Sequence, residues 1–169
     1  TSYGHLIREC ILIASMEVES HCKSVLRANG YSKAIMTTHD YVLVKEPMKL
    51  DEYEISYSRF PSIENYSPFG GWNRKSPTES LGFYHIYNSI KHDRESSFHL
   101  ANLDTAFEAV AACMILVLAQ FGYSGAVQGN SSIVEFFQFS KRPSWKSNEC
   151  YSPVHENWPT AEKEFAFSR

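Results

Sequence analysis

Leu103-Asp104-Thr105-Ala106-Phe107-Glu108-Ala109-Val110-Ala111-Ala112-Cys113-Met114-Ile115-Leu116-Val117-Leu118-Ala119-Gln120-Phe121 is the most apolar stretch of the chain, and it reads as the central core helix. Its alanines allow close helix packing. Asn102 stands where an N-cap belongs, Asp104 and Thr105 fall in the first turn, and Gly122 is placed to stop the helix. The apolar run from Ala106 to Ala119 is interrupted by Glu108 and reads as too short to span a bilayer.

Working back from this helix, Tyr87-Asn88-Ser89-Ile90-Lys91-His92-Asp93-Arg94-Glu95-Ser96-Ser97-Phe98-His99 sets polar and cationic groups between two apolar helical segments. It is the best place in the chain to look for a site. The preceding helix should begin at Ser76-Pro77-Thr78-Glu79, which has the form of a capping box with proline at the first helical position. Its apolar face would run through Phe83, Ile86, Tyr87 and Ile90 and deliver Lys91 and His92 to the helix end, where cations suit the helix dipole.

Near the start, Ile7, Ile11, Ala14, Val18, Cys22 and Val25 recur at steps of three and four, which predicts an amphipathic helix from Gly4 to Ala28. Asn29-Gly30 should end it. Glu17 and His21, four apart, are either a solvated pair or the means by which Glu17 reaches a basic group on another helix; Glu19 should point elsewhere. Between Tyr31 and Lys75 the period shortens. Tyr41-Val42-Leu43-Val44 and then Tyr53, Ile55 and Tyr57 alternate like strands, so a small hairpin is expected, with Val134, Phe136, Phe137 and Phe139 as a further strand able to pair with it. Pro61 to Trp72 mixes turn formers with aromatics and should be an ordered loop, packed on the helices or serving as a stacking platform or lid. Beyond Pro143 regularity fades into a tail that mixes Lys141, Arg142, Trp145 and Lys146 with acidic residues.

The totals agree with one domain spanning residues 1–169. A chain of 169 residues with 43% apolar and 14% aromatic content can bury a substantial core, and a net charge of −3 does not announce a nucleic-acid or membrane partner. Cys10, Cys22, Cys113 and Cys150 form no CxxC pair, and the first three fall in helical patterns where a buried thiol is ordinary, which suggests a reducing, cytoplasmic setting. The chain begins at Thr1, consistent with a processed form or a piece of something longer. Glycines near Gly122, Gly125 and Gly129 lack both the P-loop lysine and the dinucleotide spacing, and no second pair joins Cys150 and His155, or His21 and Cys22, at ligand distance, so no cofactor and no metal are expected. The fold class that follows is mainly α: a bundle of about three long helices with a small β insertion and an irregular C-terminal tail.

Arg94 and His99 enclose four residues just before a long apolar helix. This arrangement resembles the HEPN superfamily of helical domains. The segment Tyr87-Asn88-x-x-Lys91-His92-x-Arg94-x-x-x-Phe98, followed by Ala101-Asn102-Leu103, is also similar to a pattern in uncharacterised bacterial proteins of related helical fold. The resemblance covers residues 77–121 and implies a toxin or defence protein that cuts RNA without a metal, typically across a homodimer. Arg94 would then hold the scissile phosphate and His99 would move the proton, with Asn88, Lys91 and His92 binding substrate. Two other readings stand beside it. In one, the Asn88–Arg94 segment is structural, Arg94 pairing with Glu17 or Glu19, and the chain is a non-enzymatic module for dimerisation or a protein partner. In the other, the loop from Tyr66 to Trp72 closes over a small ligand.

Overall fold

The computed structural model describes residues 4–93, 96–127 and 131–145. It is mainly helical, with one small antiparallel sheet. Helix α1 spans His5–Ala28 and buries the stripe Ile11, Ala14, Val18, Cys22, Val25 and Leu26. It stops as the sequence requires: Gly30 takes φ 82°, which costs a glycine nothing, while the Tyr31 and Gly30 amides reach back to the Leu26 and Arg27 carbonyls at 2.9 and 3.0 Å.

The central helix, α4, spans Leu103–Val127. Asn102 caps it, its Oδ1 accepting from the Thr105 amide at 3.0 Å. Gly122 breaks its helical conformation at φ 71° and ψ 169°, so the expected stop is present although helix resumes beyond it. The helix therefore runs past Ala119. Leu103–Gly122, 20 residues, is long and apolar enough to cross a membrane, which overturns the reading of this segment as too short; here it packs as a core helix against α1 and α3, the helix spanning Gly82–His92.

Two contacts fix the direction of the helices. Cys113 Sγ donates to the Ala14 carbonyl at 3.0 Å, and seven residues further along both helices His21 Nδ1 lies 3.1 Å from Gln120 Oε1, so α1 and α4 run parallel. Helix α3 runs the other way, Arg8 meeting Ile90 and Glu19 meeting Tyr84. The bundle is up, down, up. Fully buried Ala109, Ala111 and Ala112 let the backbones approach, and Ile11, Leu26, Phe83, Ile90, Ile115 and Leu116 fill the space between.

The stretch linking α1 to α3 departs from the expected hairpin. Tyr41 to Val44 is not a strand: α2, Thr38–Tyr41, runs into a 3-10 turn at Val42–Val44. The cause is a capping box at Thr37 and Asp40, where the Asp40 carboxylate accepts the Thr37 amide at 2.7 Å and also holds Tyr31 and Lys33 at 2.6 and 2.9 Å. Only β1, Glu54–Tyr57, is extended. It pairs with β2, Phe137–Lys141, with Ile55 opposite Phe139 and Tyr57 opposite Phe137, so the aromatic run near the end does pair back to this region. Residues Ser131–Phe136 are helical (α5), and the strand begins later than the alternation implied.

Helix α3 also starts later than its sequence signal. The Ser80 amide reaches the Ser76 carbonyl at 2.8 Å, which closes one turn, but the Trp72 indole takes the Pro77 carbonyl at 2.8 Å and Leu81 leaves helical geometry at ψ 88°. The buried indole outcompetes the next helical amide for that carbonyl. Helix resumes at Gly82, where the Glu108 carboxylate of α4 lies so close that a Cβ would come within 3.4 Å of both its oxygens. The aromatics of the 61–72 loop are packing groups, as the first of their expected uses has it: Tyr66, Phe69 and Trp72 are buried, which leaves them unavailable as a lid or stacking platform. Cys10 is exposed rather than buried, while Cys22 is buried and Cys113 half-buried.

Candidate functional site

The antiparallel packing of α1 on α3 brings polar residues from three parts of the chain to one open cleft of about 280 Å³. Helix α1 supplies Glu19 and Lys23, α2 and its approach supply Met36, Thr37, Thr38 and Tyr41, and Thr78, Tyr84 and Asn88 close the far side. Tyr84 donates to Glu19 Oε1 at 2.7 Å, and Lys23 Nζ donates to Glu19 Oε2 at 3.1 Å. Thr38 and Thr78 share a hydroxyl hydrogen bond of 2.6 Å across the cleft. Lys91 stands just outside, donating to the Tyr87 hydroxyl at 3.0 Å with its charge felt at Glu19.

Electrostatics fix the protonation of this group. Burial pushes the Glu19 carboxyl up, but the Tyr84 hydroxyl and the Lys23 ammonium together outweigh it and hold it below its ordinary value. Burial and the Glu19 charge push the Tyr84 phenol far up, so it stays a donor. Burial works against the Lys23 charge, and the Tyr41 hydroxyl and Glu19 more than offset it. At neutral pH the cleft holds one carboxylate and one ammonium, Glu19 and Lys23, with the Lys91 ammonium just outside.

The expected site residues divide. Asn88 lines the cleft, half-buried, and Lys91 stands beside it. His92, the last residue of α3, is exposed, and His99 is exposed on the one-turn helix Phe98–Leu100, whose Phe98 ring lies 4.8 Å from that of His5. Arg94 lies outside the described residues. Glu17 is exposed, and His21 is turned to Gln120, so the two do not form the expected pair; the acid of α1 that reaches a neighbouring helix is Glu19. Arg8 ties α1 to the end of α3, donating from a terminal nitrogen to the Ile90 carbonyl at 3.0 Å, while its buried Nε has no partner among the described residues. Its place beside the apolar stripe of α1 gave no warning of that role.

A second groove of about 440 Å³, between residues 42–52 and 72–74, carries interleaved charges, and its Lys45 is already engaged by the Trp72 carbonyl at 2.7 Å and Asp51 at 3.2 Å. Among the described residues no three His, Cys, Asp or Glu side chains gather where they could hold a metal. Compared with protein-family models, curated proteins and solved structures, the chain gives no match.

Proposed function

We propose that this chain is a helical interaction module that pairs with a second copy of itself. The observation that carries this reading is an apolar strip left bare on α1: Leu6 is 81% exposed, Ile13 63% and Met16 58%, with Cys10 also exposed between them. A helix of a folded monomer has no use for three large apolar side chains in water, and strips of this kind mark interfaces. The strip continues onto α4 through half-buried Val110, Cys113 and Val117 to exposed Phe121, Cys113 lying near enough to Cys10 and Glu17 to feel their charge. Its shape suits a second copy. Two copies of α1 crossing antiparallel near residue 11 set each Leu6 against the other copy's Met16, so that the strip covers itself.

Sedimentation of the wild type and of Ile13→Glu tests this. The wild type should sediment as a dimer and the variant as a folded monomer with unchanged helical circular dichroism. A monomeric wild type, or a variant that still dimerises, refutes the reading.

A second reading, a metal-independent endoribonuclease of the HEPN type, is favoured by the exposure of His92 at the end of α3 and of His99 beyond it. Imidazoles exposed beside cations suit proton transfer to an RNA 2′-hydroxyl near neutral pH. Cleavage of labelled RNA in EDTA, lost in both Arg94→Ala and His99→Ala, would support it; no cleavage by the wild type removes it.

A further inference from the structure

We propose that the cleft between α1, α2 and α3 is a binding site for a small phosphomonoester, with the phosphate facing Lys23 and Lys91 and the rest of the ligand facing Thr38, Thr78 and Asn88. The site is separate from the α1 strip and does not depend on pairing.

Three observations converge on it. First, the charges around the cleft sum to a positive balance: Glu19 is saturated by Tyr84 and Lys23 within it, and Lys91 just outside adds a second ammonium. A further anion is what that balance lacks. Second, Asn88 is half-buried at the cleft wall, and its side-chain amide makes no hydrogen bond to any described residue, so it is open to a ligand. The Thr38–Thr78 pair likewise keeps unused hydrogen-bonding capacity after the single bond between them. Third, the cations are both lysines. An ammonium is a point charge that suits a tetrahedral phosphate, whereas bidentate carboxylate recognition calls for the planar fork of arginine, absent from the residues lining this cleft. The volume of about 280 Å³ lies just below the usual range for drug-sized ligands, which favours a phosphorylated three- to five-carbon compound over a nucleotide.

The test is calorimetric titration of the full chain with glycerophosphate, glycerol and malate, repeated with Asn88→Asp and Lys91→Gln. Glycerophosphate should bind with a dissociation constant of about a millimolar or tighter, and glycerol and malate should not. Asn88→Asp puts a like charge where the amide stood and should weaken binding at least about tenfold with the melting temperature preserved. Lys91→Gln, on an exposed side chain, should weaken it severalfold and decides the matter if Asn88→Asp fails to fold. Absence of glycerophosphate binding, equal binding of malate, or folded variants with wild-type affinity each overturn the proposal.

Discussion

Stability of this fold should fall as the pH rises from 5 to 8, through one side chain, Glu108. Burial and the nearby Asp104 charge push its carboxyl up from 4.5 to about 7, against the opposing pull of the Phe83 backbone amide at the start of α3. In the unfolded chain the same group loses its proton near 4.5, so between these values the native state holds a proton that the unfolded state has released. A group raised in this way contributes its stability below the unfolded value, and that contribution is lost as the pH climbs through the folded one. At 1.36 kcal/mol per pH unit, the gap between 4.5 and about 7 corresponds to at most about 3 kcal/mol. In a chain of this size that is a melting-temperature drop of up to about 10 °C. The assay is thermal unfolding of the wild type and Glu108→Gln across this range, read as the difference between them so that groups common to both cancel. Glu108→Gln should be flatter with pH and clearly more stable than the wild type at pH 8. Parallel pH profiles for the two proteins would refute the account of this carboxyl as a protonated group resting over Gly82.

Asp40 works in the opposite sense: burial pushes it up, but Tyr31, Lys33 and the Thr37 amide hold it down at about 2, so its contribution should be lost as the pH falls from 3.8 towards 2. Asp40→Asn should cost about 2 kcal/mol at neutral pH and remove that acid-sensitive portion of the denaturation curve. Gly122→Ala should destabilise by about 1–3 kcal/mol in urea unfolding, because φ 71° with ψ 169° is a conformation open almost only to glycine. Trp72→Phe removes the 2.8 Å bond to the Pro77 carbonyl and should cost about 2 kcal/mol or more; it should also let the Ser76–Glu79 box extend α3, read as a gain in helical circular dichroism.

The long helices were legible because their evidence is local and repeated. The stripe of α1, the Asn29-Gly30 stop, the Asn102 cap and the glycine at 122 each act within a turn or two of where they stand in the sequence, and each is found in place. The errors arose where a distant side chain decided a local conformation. Tyr41 to Val44 alternates like a strand, yet the Thr37–Asp40 box, reinforced by Tyr31 and Lys33, commits it to a helical turn. That Thr-x-x-Asp spacing was visible in the sequence, and it was the better signal than β-branched composition. The Ser76 box was equally visible, but it does not form: Asn73 Oδ1 accepts the Ser76 amide at 3.1 Å, and Trp72 claims the Pro77 carbonyl its helix needed.

The polar stretch from Asn88 to His99 drew attention through density of charge, and density does not tell which way a side chain turns. By helical spacing Asn88, Lys91 and His92 all lie towards one side of α3, yet Asn88 lines the cleft and Lys91 stands beside it whereas His92, the last residue of the helix, is exposed. Their partners on α1, Glu19 and Lys23, are four apart and match that face, but only the antiparallel crossing of the helices reveals the match. The cleft face and the far end of α3 differ in what holds them. Arg8 holds the carbonyl of Ile90, and in the turn beyond it the Asp93 carboxylate accepts the Ser96 amide at 3.1 Å. His92 and His99 are exposed, and replacing either should leave the fold intact. Asn88 is in a different position: it is half-buried at the cleft wall and its side chain has no hydrogen-bond partner among the described residues, so the proposed phosphomonoester site predicts that its replacement alters binding before it alters stability.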